Sequence, residues 1–151
     1  MKQFLSNFTE KDLPDVHKIG RRYYQITPEL FSLLQSTSKN INRQPETAGL
    51  FLGEEKGKHF QPSVALLDLI SPLTDRKVVI DDKAEWLFLC GRDIFQESII
   101  QNPVKSGLAL ITNLQGEILG YGKMSSERGI AIENLLDRGD YLRREMSKKK
   151  R

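Results

Sequence analysis

Gly116-Glu117-Ile118-Leu119-Gly120-Tyr121-Gly122-Lys123-Met124 is the stretch on which the fold turns. Glycines running up to a lysine invite a phosphate-binding loop. That register fails twice: the leading glycine of the motif would fall at Glu117, and Met124 stands where a magnesium-binding Ser or Thr is required. The better reading is an extended strand whose glycines let another backbone approach closely inside a curled sheet. Residues 108–113 upstream are apolar and strand-like, and Leu114-Gln115-Gly116 supplies the turn, so the two segments predict a hairpin. Residues 130–135 predict a further strand and 138–146 a terminal helix. Lys77-Val78-Val79-Ile80 is β-branched and extended, and Asp81-Asp82 then makes a turn or N-cap for a helix bearing Ala84, Leu87 and Phe88. Short strands outnumber helices here, which predicts a small barrel.

The first half has a different texture. Residues 22–26 read as a strand. Thr27-Pro28-Glu29 opens a helix, with Thr27 as N-cap, Pro28 at the first helical position and Leu30, Leu33 and Leu34 on one apolar face. Pro14 restricts residues 10–20 to a short helix at most. Residues 36–46 are polar, contain Pro45, and predict a loop. Residues 48–52 read as a strand, 54–58 as the turn after it, 62–70 as a strand entering a short helix, and 71–75, with Pro72, as a linker.

At 151 residues, with 38% hydrophobic and 28% charged side chains, the chain has the balance of a globular protein. No apolar run approaches the roughly 20 residues of a membrane helix, and no signal-peptide pattern is present, so a cytoplasmic location is expected. The net charge of +3 is unevenly placed: residues 143–151 hold six basic side chains and one acidic, leaving the remaining body slightly acidic. A basic tail on a near-neutral body points to a polyanion. Nucleic acid ranks ahead of membrane because no amphipathic apolar face accompanies the lysines.

Most catalytic classes find no residues to work with. Cys90 is the single cysteine and His17 and His59 the only histidines, so disulfide, Cys-x-x-Cys and zinc chemistry are not expected. No Gly-x-Ser-x-Gly elbow occurs. Asp81-Asp82 and Asp137/Asp140 each lie beside lysine or arginine and read as capping or surface pairs. Cys90, in the run Leu87-Phe88-Leu89-Cys90-Gly91, reads as a buried structural thiol. No catalytic residue, metal site or cofactor is expected. The candidate RNA-binding residues are Lys56, Lys58, Arg92, Lys123, Arg128, Arg138, Arg143 and Arg144, in or near turns and element ends, with Tyr121 for base contact. Tyr121 reads equally as a packed strand residue.

Several of these segments together resemble known RNA-binding proteins. Residues 77–80, Lys83-Ala84-Glu85, Phe88-Leu89-Cys90-Gly91 and 116–122 resemble a PUA domain, the small barrel named for pseudouridine synthases and archaeosine transglycosylases. Arg22-Tyr23-Tyr24, residues 27–34, Gly49-Leu50-Phe51-Leu52-Gly53, His59-Phe60 and Ala65-Leu66-Leu67-Asp68 resemble the preceding α/β domain of the Nip-seven family of ribosome-biogenesis factors. Residues 57–66 and 119–123 are also similar to the C-terminal PUA-like region of Fmu/Sun-type ribosomal RNA cytosine-C5 methyltransferases. This chain lacks the length for a cofactor-binding methyltransferase domain, so that likeness implies an accessory RNA-binding portion.

The fold expected is α+β: a small α/β pre-PUA domain over residues 1–75, a PUA-type β-barrel over 76–146 that binds RNA, and a basic tail over 147–151. The resemblance implies a non-enzymatic RNA-binding protein of ribosomal RNA maturation. Its expected partners are RNA, ribosomal in kind, and an rRNA methyltransferase or another preribosomal assembly factor. The alternative is a protein-interaction adaptor or an accessory RNA-binding subunit for such a methyltransferase.

Overall fold

A computed structural model describes residues 1–41, 45–140 and 143. The first half is an antiparallel meander of β1 (Val16–Ile19), β2 (Arg22–Gln25), β3 (Leu50–Lys56) and β4 (His59–Pro62), in that spatial order. A one-turn helix, α1 (Lys2–Leu5), precedes it; α2 (Pro28–Ile41) connects β2 to β3, and α3 (Val64–Ile70) follows β4.

Four expectations are corrected here. Residues 16–19 form a strand where at most a short helix was expected, because pairing with β2, Val16 opposite Gln25 through Ile19 opposite Arg22, decides their conformation. Helix α2 continues through much of the expected polar loop. Its hydroxyls turn back onto the helix, Ser36 Oγ and Thr37 Oγ1 both donating to the Leu33 carbonyl, so polar side chains are satisfied without breaking it. The buried face of α2 is also rotated from the expected one: Phe31 and Leu34 pack on Tyr24, Ile26 and Ala48, while Leu33 is 61% exposed. Finally, β3 runs through Glu54, Glu55 and Lys56, and the turn shrinks to Gly57-Lys58, with Gly57 at φ +61°. The charges that looked like a turn are paired on the sheet, Glu54 with Arg22 of β2 and with Lys56 of its own strand, and Glu55 with Lys18 of β1.

The second half contains β5 (Lys77–Ile80), α4 (Asp82–Leu89), β6 (Ile94–Phe95), β7 (Ile99–Gln101), β8 (Leu108–Thr112), β9 (Ile118–Met124) and β10 (Ile130–Asp137). Asp81 caps α4 as expected, accepting the Ala84 N–H at 2.7 Å. The strands form one sheet in the order β6-β10-β9-β8-β5-β7, parallel only between β5 and β8. Its outermost strands, β6 and β7, are joined by the single 3-10 turn Gln96–Ser98. Such a link spans no more than about 14 Å, so the sheet is rolled until its edges meet. Val78, Ile80, Ala84, Phe88, Ile94, Ala109, Ile111, Leu119 and Ile132 fill the interior. The rolling needs glycine: a Cβ on Gly120 would stand 2.0 Å from the Leu136 carbonyl oxygen, and one on Gly122 would stand 2.6 Å from that of Glu133. The expected α+β class with a PUA-type curled sheet is the observed one. Strands β6 and β7 escaped the sequence reading because two or three residues carry no periodicity.

A second core joins the halves. Leu110 and Ile118, on the outer face of the barrel sheet, are buried with Phe4, Leu5, Phe8, Leu52, Leu66, Leu67 and Ile70. Arg138, just past β10, holds Asp68 of α3 and the Ile118 carbonyl. Truncating Leu110 to Ala is expected to cost about 2–5 kcal/mol. Because that residue belongs to both halves, probes in either half should report one shared unfolding transition; two separate midpoints in urea would contradict the shared core.

Candidate nucleic-acid interface

The sequence-derived cations fall into two groups around the barrel. The first lies at the C-terminal end of α4. That helix stops in a Schellman turn: Gly91, at φ +85°, donates its N–H to Phe88, and Arg92 donates to Leu87. Asn134 on β10 lies against the turn, its amide donating to the Phe88 and Arg92 carbonyls and to Asp137. Arg143 completes the arrangement. Its guanidinium makes paired bonds of 2.8 and 2.6 Å to Asp137 and a third to the Leu89 carbonyl, covering Gly91 and Gly139. Asp137 is 2% exposed, and its hydrogen bond holds the Arg143 pKa above the usual range. This arginine is the counter-ion of a buried carboxylate at a helix C-terminus, where a cation is favoured.

The second group lies where the two halves meet. Phe60 of β4 packs on Phe4 of α1 at 5.7 Å between ring centroids, and Phe4 meets Tyr121 of β9 edge-on at 5.4 Å. This row of rings links the β3–β4 turn carrying Lys58 to the strand carrying Lys123. Tyr121 is half-buried in the row, and burial raises its phenol pKa.

Ion pairing divides the candidates. Lys56 is held by Glu54 at 3.2 Å, Arg138 by Asp68 and Arg143 by Asp137. Lys58, Arg92, Lys123 and Arg128 are exposed, and among the described residues none has an ion pair. Of the sequence-derived candidates in the described residues, these four are the ones left for a ligand. Arg128 stands on the turn between β9 and β10. Arg144 and the tail 147–151 lie outside the described residues, as does most of the expected terminal helix.

Two residues were missed by sequence reading. Arg76 donates to the Ser106 and Leu108 carbonyls, and exposed Lys105 lies on the same loop, beside the strand end where Leu108 faces Lys123. The run Asn102-Pro103-Val104-Lys105 offered only a lone lysine as a signal. One expectation is overturned: Cys90 is exposed. The apolar run 87–89 winds round α4, so Phe88 is buried, Leu89 is partly buried against the core and Leu87 is exposed, and Cys90 is one residue past the helix end. Among the described residues no group of three His, Cys, Asp or Glu side chains could hold a metal ion, and no helix is long and apolar enough to cross a membrane.

Comparison with known proteins finds likenesses for the barrel. Residues 76–146 match the model of the UPF0113 PUA domain. A curated UPF0113 protein of Archaeoglobus fulgidus is 30% identical over 110 residues, 66% of this chain and 63% of that protein, so the match spans less than two thirds of the relative. A conserved PUA domain protein from Thermoplasma acidophilum is similar at 24% identity and TM-score 0.48, over 63% of this chain and 69% of that one. The structure of NSun6 from Pyrococcus horikoshii is similar at 20% identity and TM-score 0.37, over 74% of this chain and 30% of that one. The PUA expectation thus stands for the second half; the Nip-seven likeness is finer than these matches.

Proposed function

We propose that this chain is a non-enzymatic RNA-binding protein of the cytoplasm, acting in ribosomal RNA maturation or ribosome biogenesis. The observation that carries the reading is the PUA-domain match over residues 76–146, a domain class that generally binds RNA. The exposed, unpaired cations on that barrel and the basic residues after Arg143 supply the charge such a role requires. In this reading Arg143, clamped by Asp137, is structural, and the exposed cations meet the phosphates.

The test is affinity for ribosomal RNA fragments across a salt series, comparing the intact chain with one ending after Arg143. That truncation keeps the clamp and removes five cations, Arg144, Lys148, Lys149, Lys150 and Arg151. The log–log salt slope is expected to lose up to about 3.5 on single strands, at roughly 0.7 per phosphate neutralised. Preference among fragments should survive. Absence of binding by the intact chain at low salt would refute the reading.

One observation favours the adaptor alternative. Trp86 on α4 is 70% exposed with Leu87 beside it, and an exposed tryptophan is a common protein-contact anchor. Under that reading a methyltransferase or another assembly factor copurifies after nuclease treatment, and Trp86→Ala releases it.

A further inference from the structure

We propose that the cleft between α1 and the β3–β4 turn receives one unstacked base of a single-stranded RNA, with Lys58 and Lys123 on the flanking phosphates; this rests on the RNA-binding reading above. The cleft measures about 510 Å³, a size suited to a small ligand. Gln3, Phe4, Asn7, Glu55, His59 and Phe60 are among the residues lining it. The exposed imidazole of His59 offers a flat face for stacking, and Phe60 and Phe4 supply an apolar wall.

Charge decides which part of a nucleotide enters. The Glu55 carboxylate takes bonds from Lys18 Nζ at 2.7 Å and Tyr23 Oη at 2.6 Å, and those donors hold its pKa below the usual carboxylate range. An ionised carboxylate at the wall repels phosphate. It has acceptor positions beyond the two already used, so it favours a base carrying an exocyclic amino group. The phosphates are assigned to the rim, where Lys58 lines the turn side of the cleft. Tyr121 packs on the far side of Phe4, and Lys123 follows it two residues later on the same strand face, about 7 Å along β9. The two unpaired lysines thus flank the cleft from opposite halves of the molecule. A paired duplex cannot place a base there, because its bases are stacked and joined edge to edge.

Fluorescence anisotropy with the full chain tests this, using labelled oligoadenylate, oligocytidylate and oligouridylate and an RNA duplex at one salt concentration. Oligoadenylate and oligocytidylate are expected to bind about fivefold tighter than oligouridylate, the worth of one hydrogen bond, and Glu55→Gln should level that preference. Lys58→Glu with Lys123→Glu should weaken single-strand binding at least tenfold, and His59→Ala about fivefold. Ultraviolet irradiation of bound oligoadenylate or oligocytidylate should crosslink it to the peptide holding His59 and Phe60. If the parent chain binds RNA but the double lysine variant binds it equally well, the cleft is not the site and the broader reading stands. Equal affinity for duplex, lowered equally by the variants, also overturns the base pocket. If no RNA binds the parent chain, both readings fall together.

Discussion

Replacing Arg143 with Ala is expected to destabilise the protein by about 3 kcal/mol, near the low end for breaking a buried ion pair by deleting one member. The cost comes from what is left behind. Asp137, almost wholly buried, would lose both guanidinium bonds and be left, among the described residues, with the Asn134 amide at 3.2 Å. The Leu89 carbonyl at the helix end would lose its cation as well. Arg143→Lys should recover less than half, since an ammonium cannot span both carboxylate oxygens and the carbonyl. Asp137→Ala should cost less than Arg143→Ala, because the freed guanidinium is already partly exposed and can hydrate. Urea midpoints for the two single variants and the double variant would decide it: strictly additive losses would show that the pair is not coupled. The same geometry warns against charge reversal at Arg143 as a probe of RNA contact, since lost affinity would report an opened barrel.

Gly120→Ala is expected to prevent the barrel from forming in its present geometry, at a cost above about 3 kcal/mol from a total of about 5–15. A methyl group there meets the Leu136 carbonyl oxygen at 2.0 Å, the Leu136 carbonyl carbon at 3.0 Å and Asp137 Cα at 2.8 Å. All three are backbone, so no side chain can swing away. The comparison is Gly116→Ala on the β8–β9 turn, where open space surrounds the site and only a φ of +82° opposes the change. That substitution should cost about 1 kcal/mol. Thermal unfolding of both variants separates steric closure from backbone freedom; similar midpoints would refute the close approach of β9 and β10.

Legibility in the sequence followed the range of the interaction that decides each element. The β8–β9 hairpin, the Asp81 cap and the α3 helix were readable because turn chemistry and capping act over three or four residues. The sequence reading missed β1, whose conformation is set by partners on β2, and the edge pair β6 and β7, set by strands far along the chain. The site behaved the same way. A lysine in a turn can be recognised from composition, which found Lys58 and Arg128. Whether a basic residue is free depends on a partner that only folding supplies: Asp68 for Arg138, seventy positions away, and Asp137 for Arg143. Cys90 was misjudged because an apolar run says nothing about which side of a helix each member takes.

The rolled sheet also sets an order of assembly. Strand β10 lies between β9 and β6, Ile132 facing Met124 on one side and Ile94 on the other, so it is a keystone made last. A growing chain that has not reached Ile130 can pair β8 with β9 and β5, but β6 has no neighbour and the edge of β9 is bare. Such a ring closes only by contacts distant in sequence, which slows folding. Until synthesis passes Asp137, the nascent barrel exposes open strand edges, the hazard that promotes intermolecular pairing. A ribosome-bound chain stalled before Ile130 should therefore be protease-sensitive around β6, residues 94–98, and become protected once β10 is complete.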